Sequence, residues 1–88
     1  MKMGADIYKA KYKFLLGSIS QEQFDFIDDV IYRSDDGTYV LSGEHYLELT
    51  GKKEELEKRY NTGLNSILQV FKEETKNGKK HLTFRIFE

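Results

Sequence analysis

Apolar residues recur at every second position near both ends of this chain, and at every third or fourth position in two segments between them. A period that switches between 2 and 3.6 marks strands alternating with helices. Within 88 residues that pattern leaves room for one small α+β domain, residues 1–88, with a thin two-layer core. The chain has no cysteine, which removes disulfides, thiolate metal sites and cysteine nucleophiles from consideration. No apolar run approaches the roughly 18–20 residues of a membrane helix, and no signal-peptide core stands at the N-terminus. A soluble cytoplasmic protein with no membrane partner is the expectation.

Residues 5–16 alternate, with Tyr8, Ala10, Tyr12, Phe14 and Leu16 on one face and Lys9, Lys11 and Lys13 on the other. This reads as a half-buried strand broken by Gly17-Ser18. Ser20-Gln21-Glu22-Gln23 is a capping-box pattern, with Ile19 and Phe24 at the staple positions. It opens a helix over 21–33 whose apolar arc is Phe24, Phe26, Ile27, Val30 and Ile31. The alternative ends that helix near Asp29 and makes Val30–Arg33 a hairpin strand before the Asp36-Gly37 turn.

Thr38–Leu41 reads as a short strand. His45–Thr50 reads as its hairpin partner, with Leu47 and Leu49 on one face; the alternative is a short helix over 43–49 capped by Ser42. Thr50 is the expected cap of one long amphipathic helix over 52–76, carrying Leu56, Tyr60, Leu64, Ile67, Leu68 and Phe71. Gly63 marks a kink after Asn61-Thr62, with Thr62 recapping, and Asn77-Gly78 stops the helix. Leu82, Phe84 and Ile86 then alternate in a last strand. The resulting order is β-α-β-β-α-β, a ferredoxin-like two-layer sandwich with two helices on one face of an antiparallel sheet.

The pattern offers little catalytic chemistry. His45 and His81 lie in strand-like segments without metal-ligand spacing, and the glycine-lysine pairs at 51–53 and 78–80 lack the second glycine and hydroxyl of a phosphate loop. No serine sits in a glycine-flanked elbow. A protein that is not an enzyme, with no metal or cofactor, is the expectation.

Charge is the remaining signal. Residues 1–13 carry a net +3, residues 14–57 a net −8 and residues 58–88 a net +4. The acidic stretch holds Glu22, Asp25, Asp28, Asp29, Asp35, Asp36, Glu44 and Glu48, interleaved with Tyr32, Tyr39 and Tyr46. Carboxylates beside exposed tyrosines suit a surface that docks on a basic protein partner. Glu22, Asp25, Asp28, Asp29, Asp35, Asp36, Tyr32 and Tyr39 are the candidate residues. The alternative is nucleic-acid binding, with Lys9, Lys11 and Lys13 beside Arg85 on an open sheet face contacting phosphate. An exposed strand edge would also allow a homodimer.

The opening Met3-Gly4-Ala5-Asp6-Ile7-Tyr8 resembles the start of small phage-encoded proteins that begin Met-Gly-Ala-Asp-Ile-Tyr. In size, acidic stretch and lack of catalytic motifs the chain is also similar to phage-encoded inhibitors of host defence, anti-CRISPR proteins among them. The resemblance implies a carboxylate-presenting scaffold acting in the cytoplasm of a bacterial host cell.

Overall fold

The computed structural model describes residues 4–9 and 15–87, with the backbone alone for residues 4–9 and 15–17. Its elements are β1 (Gly4–Lys9), β2 (Leu15–Ser20), α1 (Gln21–Val30), β3 (Tyr32–Arg33), β4 (Tyr39–Leu41), α2 (Gly43–Gly51), α3 (Lys53–Tyr60), α4 (Asn65–Glu74) and β5 (Leu82–Phe87). Among the described residues the strands form one antiparallel sheet in the order β2-β1-β5-β4-β3. The α+β class holds. The ferredoxin-like order does not, because the first alternating run is a hairpin rather than one strand.

Period-two alternation cannot see that reversal, since opposed residues of an antiparallel pair share a face. β1 pairs with β2 from Gly4↔Ser20 to Ile7↔Gly17, and the register slips by one residue before Tyr8↔Leu15. Gly17 and Ser18, expected to end the strand, therefore lie inside β2. Residues 10–14 of the expected strand fall outside the described residues.

α1 starts as its local sequence dictates. The Gln23 amide donates to Ser20 Oγ (3.1 Å) and the Ser20 amide donates to Gln23 Oε1 (2.9 Å), a complete capping box. Its end follows the alternative reading: Ile31 is extended (φ −106°, ψ 132°), and Tyr32–Arg33 pair with β4. The turn outcompetes another helical turn. The Ser34 amide donates to Thr38 O (2.8 Å), the Thr38 amide donates to Asp36 Oδ1 (2.9 Å), and Gly37 supplies φ +90°. Ile31 is buried all the same.

Residues 43–51 form α2, not a strand. Ser42 Oγ accepts from the His45 amide (3.0 Å), and the buried residues are Gly43, Tyr46 and Leu49, each three apart. Leu47, expected to share the buried face with Leu49, is 54% exposed. Thr50 lies within this helix and donates back to Leu47 O (2.7 Å) rather than capping the next one.

The long helix is broken into α3 and α4. Asn61 adopts the left-handed conformation (φ 53°, ψ 48°), and the Glu57 carboxylate accepts from the Leu64 amide (2.8 Å). Thr62 does not recap; α4 begins after Leu64 with no side-chain cap. Glu57 reaches across the break instead.

The inner sheet face, with Tyr39, Leu41, Leu82 and Phe84, meets Phe26, Ile27, Leu56, Leu64, Ile67, Leu68 and Phe71 in one core. Phe84 stacks on Tyr39 (5.3 Å between centroids) and contacts Phe71 (5.7 Å). The outer positions of β4 and β5 are half-buried Val40 and Arg85 and exposed Thr83 and Phe87. Among the described residues no helix is long and apolar enough to cross a membrane.

Candidate functional site

The solvent face of α1 is built by helical spacing. Burying Phe26 and Ile27 turns Glu22, Asp25, Asp28 and Asp29 outward, and all four are exposed. Asp28 and Asp29 stand in the last turn, which has no basic residue. There they face the negative end of the helix dipole, an arrangement that costs roughly 0.3–1 kcal/mol per charge at an exposed site. Neighbours offset that cost. Tyr39 Oη donates to Asp28 Oδ1 (2.8 Å), Tyr60 Oη donates to Asp29 Oδ2 (3.0 Å), and Arg33 lies 3.8 Å from Asp28.

The tyrosines divide accordingly. Tyr32 is 67% exposed beside the end of α1. Tyr39 is 3% exposed and Tyr46 is also buried, so neither offers the contact surface expected of it. Burial, with the Asp28 carboxylate next, pushes the Tyr39 hydroxyl up to about 12.

The hairpin acids differ from one another. Asp35 is exposed, and among the described residues it has no ion-pair partner; the same is true of Glu22. Asp36 accepts from the Ser34 hydroxyl and the Thr38 amide, and lies 3.7 Å from Arg85. The Ser34 bond first, then the Thr38 bond, lower its carboxyl from 3.8 to about 2. A depressed folded-state value stabilises the fold above the ordinary value and loses that contribution as the pH falls through about 2. The stability gap between the native chain and Asp36→Ala is therefore expected to be full near about pH 5 and to close toward about pH 2. Urea titrations across that range measure it.

The β1–β5 register sets Tyr8 opposite Arg85 and Lys9 opposite Phe84. Lys11 and Lys13 fall outside the described residues. His45, expected in a strand-like segment, lies instead on α2 with Glu48 on the same face, 4.0 Å from it.

Sequence reasoning missed a cavity beside the acidic ridge. It holds about 160 Å³ and is lined by Phe24, Arg33, Gly37, Tyr39 and Ile86. One signal pointed to it: Arg33 is the lone cation between Lys13 and Lys52. No protein-family model, curated protein or solved structure matches this chain.

Proposed function

We propose that this protein is a non-enzymatic binding module that docks the acidic face of α1, with Tyr32 beside it, on a basic protein surface. The observation that carries this reading is the outward row of Glu22, Asp25, Asp28 and Asp29 on a helix anchored at both ends. At its start the capping box is joined by Gln23, which donates to Gly63 O (3.2 Å); toward its end Tyr60 holds Asp29. Rigid charges lose little entropy on binding and steer a basic partner toward the face. Exposed Tyr32 and Asp35 extend the surface onto the hairpin.

The finer form of the proposal is a phage or mobile-element inhibitor of bacterial defence, anti-CRISPR-like in acting by occupying a basic surface in the host cytoplasm. The Met3–Tyr8 resemblance and the small single-domain size support that form. Buried Tyr39 leaves the contact set and serves as the prop of Asp28.

Immobilised protein is expected to retain a bacterial protein with a basic surface, identified by mass spectrometry, and to release it as salt rises. Glu22→Lys with Asp25→Lys touches no tertiary hydrogen bond and is expected to weaken capture about 10-fold or more. Undiminished capture by that variant would end the acidic-face reading. Raised plating efficiency of a restricted phage on cells expressing the protein would support the inhibitor form, and unchanged plating would end it.

A further inference from the structure

The cavity between α1, the β3–β4 hairpin and β5 has an apolar floor and a cationic rim. Its floor is rigid. Tyr39 is stacked on Phe84 and tied through its hydroxyl to Asp28, while Phe24 and Ile86 are half-buried at its sides. The rim is Arg33, whose guanidinium carbon lies 5.9 Å from the centre of the Tyr39 ring. Gly37 completes the lining.

Arg33 is not committed to its carboxylate. The Arg33–Asp28 separation is 3.8 Å, beyond hydrogen-bond length, and both side chains are substantially exposed. Such a pair contributes about 0–1 kcal/mol, so little opposes turning the guanidinium toward another anion. A planar guanidinium takes a carboxylate through two parallel hydrogen bonds, a stronger contact than that loose pair. The cavity, about 160 Å³ and open to solvent on one side, has room for one ring.

We infer that this cavity is a binding site for an apolar ring bearing a carboxylate, with the ring against half-buried Phe24 and Ile86 and the carboxylate on Arg33, buried Tyr39 backing the floor. The same chemistry is offered by a small aromatic acid and by the C-terminal phenylalanine of a peptide. The site goes beyond the acidic-face reading and stands without it.

Benzoate titrated into the isotope-labelled protein is expected to give saturable amide shifts centred on Arg33, Gly37, Tyr39 and Ile86, with millimolar affinity typical of a fragment. Benzamide, the uncharged analogue, is expected to bind about 10-fold more weakly, and Arg33→Met to weaken benzoate by a similar factor. Arg33→Lys keeps the charge without the fork and is expected to fall short of the native affinity. Equal binding of benzoate and benzamide overturns the inference. So does native benzoate affinity in Arg33→Met, or shifts confined to exposed Lys72, Lys76, Lys79 and Lys80. A peptide ending in phenylalanine that outcompetes benzoate supports a chain terminus as the ligand, and one that binds less well supports a free acid; a peptide amide that competes as well as its acid overturns both.

Discussion

Truncating Phe84 to alanine is expected to remove about 3–5 kcal/mol of folding stability, the range for deleting a fully buried aromatic ring. Phe84 has no exposed surface and sits on β5, between β1 and β4 in the sheet. Its ring touches Tyr39 in the sheet and Phe71 in the helical layer, so one side chain joins both layers. A chain of 88 residues is held by only about 4–13 kcal/mol at the usual 0.05–0.15 kcal/mol per residue. The variant would thus lie near the edge of folding. Urea unfolding followed by circular dichroism measures the loss as a lower midpoint with an unchanged slope. Thr83→Ser, next in the strand but on the exposed face, is expected to change stability by no more than about 0.5 kcal/mol. A Phe84→Ala loss below about 1.5 kcal/mol would mean that the two layers meet elsewhere.

What the sequence could reveal followed the range of each interaction. The capping box at Ser20 and Gln23 is an exchange of bonds three residues apart, so residue spacing suffices to find it. The break near Asn61 is equally local, because asparagine tolerates the left-handed conformation that ends α3. The first and last strands were expected side by side, and β1 does pair with β5; that β2 is the other neighbour of β1 was not legible, because alternation does not register a reversal within one run. α2 was misread for a related reason. Leu47 and Leu49 mimic a strand face, whereas the helix depends on the Ser42 cap and on packing that buries Tyr46. At the acidic face, charge and helical spacing placed Glu22, Asp25, Asp28 and Asp29 correctly. They could not tell exposed Tyr32 from buried Tyr39, which is fixed by pairing with Phe84 across the sheet. The cavity was invisible for the same cause, as its walls come from α1, the hairpin and β5.

Gly43→Ala separates local preference from tertiary constraint most sharply. Gly43 stands in the first turn of α2, where alanine is the better helix former by about 1 kcal/mol. On that ground alone the substitution would stabilise the protein. Yet a Cβ at this position would lie 1.9 Å from Gly78 O and 2.3 Å from Gly78 C, both backbone atoms. Rotamer changes cannot relieve such a clash, so α2 and the turn after α4 would have to part. That turn resists movement. The amides of Lys79 and Lys80 both donate to Thr75 O (3.0 Å each), and Thr75, itself buried, donates to Phe71 O (2.7 Å). Gly78 is itself left-handed at φ +89°, with Leu47 packed over it. Overpacking of a constrained site costs about 1–3 kcal/mol, sometimes more, and outweighs the propensity gain. The expected net loss is about 2–3 kcal/mol, read by calorimetry as a Tm lower by roughly 10–20 °C. Gly51→Ala in the same helix is the internal comparison, because its Cβ would meet nothing within 4 Å. That variant is expected to hold or gain stability by up to about 1 kcal/mol. Two glycine-to-alanine changes in one helix would then differ in sign, and the difference would come from the carbonyl of Gly78. Equal effects would mean that α2 does not rest on that turn.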